Sequence, residues 1–302
     1  MGQRRSRRQV LTLGVGLVTG LPLAACAVAQ PTSLPASTPP SSAAGPTPPQ
    51  KPAGLTPVLA TSELVVGPNR FAFGLIGEDN RPVLDARVQL DFFELSGDTG
   101  TKWAEAEATF RWVEARAKGI YTAPVRFERA GRWGVEVRAT HGGKTEIARI
   151  PFEVRQVGQA PMLGSAAPRV KTLTPADVRD PSELCTAAPP CELHSVSLDA
   201  ALAIGRPTVV LFASPGFCTS AVCAPQHGVF LEARRRNLDR ATYVHVEIYK
   251  DPRNGVVADA VTAWNLPSEP WVFFVDRGGT VVERFEGIAT VEELEGALAT
   301  LG

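Results

Sequence analysis

The sequence predicts a multidomain chain in which an N-terminal all-β sandwich is followed by a C-terminal α/β domain. Three observations carry this reading. The 302 residues suffice for about two domains at roughly 100–200 residues each. From Ser62 to about Arg155 apolar residues recur with a period close to two, punctuated by turn signals. Beyond Pro181 the pattern changes to alternating helical and extended stretches arranged around the apolar run Pro207–Ser214. Hydrophobic content of 44% and charged content of 21% are ordinary for a globular protein.

The chain opens with an address. Arg4, Arg5, Arg7 and Arg8 form a positive start, and Val10–Ala25 is an apolar run of 16 residues interrupted by glycines and Pro22. That run is short for a membrane span, which needs about 20 apolar residues. Charged start, apolar middle and small-residue end describe an export signal over 1–25. Its end, Leu23-Ala24-Ala25-Cys26, resembles the lipobox of bacterial lipoproteins, and the resemblance implies cleavage before Cys26 and lipidation of its sulfur. Ser6-Arg7-Arg8-Gln9-Val10-Leu11 is similar to a twin-arginine export motif, with Val10 where that motif usually carries Phe. An uncleaved signal anchor is the alternative. The implied location is the outer face of the bacterial cytoplasmic membrane, with the membrane itself as one partner.

Formal net charge is zero, but the first 25 residues hold four arginines and no acids, leaving 27 basic against 31 acidic residues in the remainder. No basic patch or stripe of the kind that binds nucleic acid is present in the sequence. Residues 26–57 are rich in Pro, Ser, Thr and Ala, so they bury too little apolar surface to offset the entropy of ordering. They read as a semi-extended tether, with a proline-rich ligand as the alternative.

In 58–156 the candidate strands are Glu63–Val66, Arg70–Ile76, Arg87–Leu95, Lys102–Val113, Ile120–Glu128, Arg132–Thr140 and Glu146–Val154. Such short alternating strands suggest an antiparallel sandwich. Tyr121, Val125 and Phe127 fall on one inward face, and Trp133, Val135 and Val137 do so after the Ala130-Gly131 turn. The stretch Gly119–Val137 resembles the end of small extracytoplasmic Ig-like domains of the YtkA and FixH kind. The only histidine here is His141 and methionine is absent, too few soft ligands for a copper site of the CopC type. A spacer or docking module is the expected role.

Residues 157–181 read as a linker and 182–302 as the second domain. Ser197–Ile204 is a short helix stopped by Gly205; Pro207–Ser214 is a strand apolar enough for burial on both faces. Ala221–Leu238 is a helix ending in Arg234-Arg235-Arg236, suited to the negative helix end. Thr242–Ile248 is a strand, Val256–Trp264 a helix, and Trp271–Asp276 with Val281–Phe285 a hairpin around Gly278-Gly279. Thr290-Val-Glu-Glu293 is a capping box opening the last helix. Strand, loop, Phe217-Cys218-Thr-Ser-Ala-Val-Cys223, and then Ser268-Glu269-Pro270 before a strand, together resemble the thioredoxin fold. The resemblance implies a cis-proline at Pro270 facing an active cysteine pair. The usual Cys-x-x-Cys spacing is here four residues wide.

Positions five apart on a helix lie about 7.5 Å along its axis, whereas a disulfide needs Cα atoms about 4.4–6.8 Å apart. A bonded Cys218–Cys223 pair therefore puts Cys218 in the loop, with Thr219 or Ser220 capping and Cys223 in the first helical turn. A cysteine at a helix N-terminus has its thiolate favoured. The chemistry this points to is thiol–disulfide exchange with protein thiols or disulfides outside the cytoplasm, Cys218 attacking and Cys223 resolving. A non-catalytic binding module with a stable disulfide is one alternative. The other is copper handling similar to Sco-type chaperones, with Cys218, Cys223 and a third ligand from His194, His227 or His245. His227 otherwise reads as a surface residue and His245 as an ordinary strand residue. No peroxidase signature is present. Cys185 and Cys191, enclosing Thr-Ala-Ala-Pro-Pro, read as a structural disulfide pinning the N-terminal arm of the domain. A site shared with Cys218 and Cys223 is the alternative, and neither pair has zinc-knuckle Cys-x-x-Cys spacing.

Overall fold

Alternating apolar residues dictate the first half of the structure, a computed structural model that describes residues 54–97, 99–114, 117–218 and 222–301. The export signal, Cys26, the tether up to residue 53, and Thr219 and Ser220 lie outside the described residues. The strands are β1 (Thr56–Leu59), β2 (Leu64–Val65), β3 (Gly67–Ile76), β4 (Arg87–Ser96), β5 (Thr99–Glu114), β6 (Lys118–Phe127), β7 (Gly131–His141) and β8 (Lys144–Arg155). They form one sheet in the order β1-β3-β6-β5-β4-β7-β8-β2.

The N-terminal half is β-rich, as expected, and its strands join into one curled sheet. β5 pairs with β4 through Thr99–Ala108 and with β6 through Thr109–Glu114, so one long strand belongs to both faces. Strand pairing starts before residue 58, because Thr56–Leu59 pairs antiparallel with β3 at the sheet edge, where a proline such as Pro57 is tolerated. The enclosed core holds Phe71, Phe73, Phe92, Tyr121, Phe127, Trp133, Val135 and Val137, each at most 1% exposed. Phe127 meets Trp133 at 4.9 Å and Phe92 at 5.8 Å, both edge-on. The buried Tyr121 hydroxyl donates to Val83 O at 3.0 Å and accepts from Ala86 N at 2.8 Å.

The second half contains α1 (Leu198–Ala203), β9 (Thr208–Phe212), α2 (Cys223–Arg236), β10 (Thr242–Val246), β11 (Tyr249–Asp251), β12 (Val256–Val257), α3 (Asp259–Ala263), β13 (Trp271–Val275), β14 (Val281–Glu286) and α4 (Val291–Thr300). Its main sheet is mixed, in the order β10-β9-β13-β14, with β9 parallel to β10 and antiparallel to β13. Every residue of β9 is buried. Val209 and Leu211 face a core shared with Phe230 of α2 and Leu294 of α4. Val210 and Phe212 face the opposite core, shared with Leu198 of α1 and Trp264. Thr290 caps α4 in a reciprocal capping box with Glu293, as its sequence requires. The helix expected from Val256 starts only at Asp259, since Val256 and Val257 pair with β11. Among the described residues no helix is long and apolar enough to cross a membrane.

Residues 157–181 are irregular but not a free linker. Gly164 N and Ala167 N donate to Val281 O and Gly279 O, each at 2.8 Å, and Pro168 O accepts from Trp264 Nε1 at 3.0 Å. All described residues belong to one compact unit, Pro49–Gly302, and carboxylates join its two halves. Glu63 Oε1 accepts from Arg284 at 2.9 Å, with side-chain exposures of only 1% and 12%. Glu286 accepts from Ser62 N at 2.8 Å and Glu63 N at 3.1 Å. Glu293 pairs with Arg70 at 2.8 Å and Arg111 at 3.2 Å. Removing one member of a buried ion pair strands the other charge, at a cost of about 3–5 kcal/mol. Glu63→Ala is therefore expected to lower unfolding stability by about that much in urea titration, and Glu63→Leu combined with Arg284→Met by distinctly less. A loss below about 1 kcal/mol in the single variant would mean the pair is not fully desolvated.

Candidate functional site

The chain leaves β9 at Ala213 and turns through a loop before α2, and the first cysteine pair sits at that turn. Cys218 lies in the loop and Cys223 is the first residue of α2. The two are disulfide-bonded, with Cα atoms 5.7 Å apart, inside the bonding window that excluded a fully helical placement. The helix N-cap is Val222, without a side-chain cap bond, in place of the expected Thr219 or Ser220. Pro225 falls in the first turn, where its missing N–H breaks no helical bond. Cys218 is half-buried and Cys223 fully buried. The Cys223 amide donates to Cys218 Sγ at 3.3 Å, so the positive end of α2 points at the accessible sulfur. The Glu269–Pro270 peptide is cis, as expected. Trp271, next in the chain, pairs with Phe212, which sets this peptide beside the cysteine loop. Glu269, which the sequence did not single out, brings a carboxylate oxygen within 4.8 Å of both sulfurs.

Cys185 and Cys191 do not form the expected disulfide. Their sulfurs stand 3.7 Å apart, and both residues are free thiols. The arm that carries them runs along the outer edge of β10, where His245 N donates to Leu193 O at 3.0 Å. This brings them to His194 on the arm and His245 on β10. His245 Nδ1 lies 3.3 Å from Cys191 Sγ, 3.8 Å from Cys185 Sγ and 3.1 Å from His194 Nε2. His245 and His194 are 1% and 4% exposed. The hydrogen bond shared by the two sulfurs pushes the Cys185 thiol down and the Cys191 thiol up, so the pair holds a single proton readily. His227 is also buried, contrary to the surface position expected for it; its ring packs on His245 at 4.9 Å. Burial, and then the neighbouring His245, lower its imidazole to about 4.

The copper ligand set expected from Cys218 and Cys223 with a histidine does not fit this arrangement. Those sulfurs are bonded to each other, His245 and His194 belong to the other cysteine pair, and His227 joins neither group. No protein-family model matches the chain. No curated protein matches it either. Among solved structures it is similar to the crystal structure of MtrC from Shewanella baltica OS185, at 15% identity and a TM-score of 0.27, over 37% of this chain and 24% of that one. So slight an overlap carries no argument about fold or chemistry, and the chain spans about a quarter of that protein.

A carboxylate ties the two cysteine pairs together. Glu247, two residues beyond His245, accepts from Thr186 N at 2.7 Å and Thr186 Oγ1 at 2.9 Å on the arm. It also accepts from Ser214 Oγ at the end of β9. Thr186 Oγ1 in turn receives Gly216 N at 3.1 Å, and a Cβ at Gly216 would stand 2.8 Å from Thr186 O, so only glycine allows this close approach. Glu247→Ala is expected to detach the arm from this end of the sheet. Hydrogen exchange should then accelerate at Thr186 while the amides of β9 stay protected. Uniform acceleration across both would show that the arm and sheet open as one unit.

Proposed function

We propose that the chain is a membrane-anchored extracytoplasmic protein whose thioredoxin-like C-terminal half exchanges thiols and disulfides through Cys218 and Cys223. On this reading the Ig-like half and the tether space that site from a lipid on Cys26. The observation that carries the reading is the bonded pair itself: one accessible sulfur and one buried sulfur, at a helix N-terminus whose first amide donates to the accessible one. A disulfide with structural duty only has no need of a partly accessible sulfur facing a helix dipole.

In the reduced state Cys218 is the nucleophile. Its thiolate is favoured by the Cys223 amide and the helix end. It attacks one sulfur of a partner disulfide, and the other partner sulfur leaves as a thiolate and takes up a proton. Cys223, deprotonated, then attacks Cys218 Sγ, closing the Cys218–Cys223 bond and releasing the second partner sulfur. Two electrons pass to the partner, which gains two protons. Glu269 supplies a base within reach of the buried Cys223 thiol. The same steps in reverse oxidise a partner dithiol. Phe217, 48% exposed beside Cys218, offers an apolar contact for a partner chain.

Turnover of a dithiol peptide and of its disulfide form tests this directly. Cys218→Ser and Cys223→Ser are each expected to lower the rate by at least about 100-fold. Cys223→Ser should accumulate a mixed disulfide through Cys218, and Cys218→Ser should not. Glu269→Gln is expected to slow resolution by about 10–100-fold while leaving formation of the mixed disulfide nearly unchanged. Undiminished turnover in Cys218→Ser would remove the reading.

A further inference from the structure

We propose that Cys185, Cys191, His194 and His245 form a tetrahedral two-thiolate, two-imidazole site for one Zn²⁺ ion. The site is separate from the Cys218–Cys223 pair and does not rest on the exchange chemistry assigned to that pair.

Four of the six ligand–ligand edges match those of the required tetrahedron. With Zn–S of about 2.3 Å and Zn–N of about 2.0–2.1 Å, tetrahedral geometry sets edges of about 3.8 Å between sulfurs, about 3.3 Å between nitrogens and about 3.5 Å between sulfur and nitrogen. The corresponding distances are 3.7 Å for Cys185 Sγ to Cys191 Sγ and 3.1 Å for His194 Nε2 to His245 Nδ1. The sulfur–nitrogen edges to His245 are 3.3 and 3.8 Å. All four atoms lie within 4.8 Å of one another. A disulfide would hold the sulfurs about 2.05 Å apart, so the cysteines are spaced to share an ion and not a bond.

The surroundings agree with that geometry. His245 Nε2 lies 2.9 Å from Ala213 O. A carbonyl only accepts, so Nε2 carries the proton and Nδ1 turns its lone pair inward, the orientation that metal-bound histidines take from such a partner. Cys191 N donates to Cys185 Sγ at 3.4 Å, an amide contact that supports thiolate character. Two thiolates neutralise a divalent ion, so no net charge is buried with it. Four protein donors of this kind, three of them on buried residues and the fourth on half-buried Cys191, are the pattern of a structural zinc site. A cavity of about 260 Å³, lined in part by Leu184, His194, His245 and Glu247, gives an access route. The ion would staple the arm to β10 and, through Thr186, support the loop that carries Cys218.

The test is metal analysis of the full chain, untagged and purified with a mild reductant, before and after addition of Zn²⁺ alone. The account expects about one zinc per chain, retained in the Cys218→Ser/Cys223→Ser double variant and lost in Cys185→Ser and His194→Ala. Because those losses could reflect misfolding, X-ray absorption of the wild-type protein gives a second reading, with two sulfur and two nitrogen donors expected at zinc. Binding below about a tenth of an ion per chain would overturn the proposal. So would a coordination shell without sulfur, or loss of zinc in the Cys218→Ser/Cys223→Ser variant while Cys185→Ser retains it. Copper in place of zinc in the purified wild-type chain, before any metal is added, would overturn the choice of ion.

Discussion

Both cysteine pairs depend on one strand that is buried on both faces. β9 packs Val209 and Leu211 into one core and Val210 and Phe212 into the other, between β10 and β13. Full burial of such side chains contributes roughly 1.5–3 kcal/mol each relative to exposure, and close packing leaves the strand little freedom. Where it ends, Ala213 O accepts from His245 and Ser214 Oγ donates to Glu247. The chain then reaches Cys218. A sheet offers its reactive edge where the strand ends and the backbone becomes free to turn, and here a rigid strand delivers two polar contacts and a loop to one place.

Carboxylates hold the rest of the molecule to that centre. Glu247 binds the cysteine-bearing arm, Glu286 binds the chain leading into β2, and Glu63 receives Arg284. Each is mostly removed from water, so each needs the donors it has. The curled sheet is thereby fixed against the face that includes Trp271, which also lies under the Arg284 guanidinium at 5.5 Å from the ring centre. Val113 of the first half packs directly into the core that contains Cys223. The β-rich half thus buttresses the helix side of the cysteine pair besides preceding it in sequence.

Much of this was legible in the sequence because it depends on local pattern. Period-two alternation located β3 to β8, the capping box located α4, and the five-residue cysteine separation placed Cys218 outside the helix. What escaped depends on distant partners. β1 is short and follows proline-rich chain, and only its pairing with β3 makes it a strand. The continuity of the sheet follows from the length of β5, which the alternation shows but whose two partners it does not. Cys185 and Cys191 resemble a disulfide loop when read alone. His194 lies three residues away, but His245 is 54 residues beyond Cys191 and enters through β10. Glu269 was hidden behind the more conspicuous Pro270. His227 gave no local sign of burial, since its burial comes from packing on His245.

The two pairs are chemically unlike despite lying at the same end of the sheet. One is bonded and set against a helix dipole; the other is unbonded, with Cys185 buried and Cys191 half-buried, and set against imidazoles. The most direct test of this division is peptide mapping of the native full chain, alkylated without reductant before digestion and again after unfolding. The expected result is a peptide cross-linked through Cys218 and Cys223, with Cys185 alkylated only once the protein is unfolded and Cys191 outside any disulfide. A cross-link between Cys185 and Cys191, or alkylation of Cys218 and Cys223 without prior reduction, would contradict it.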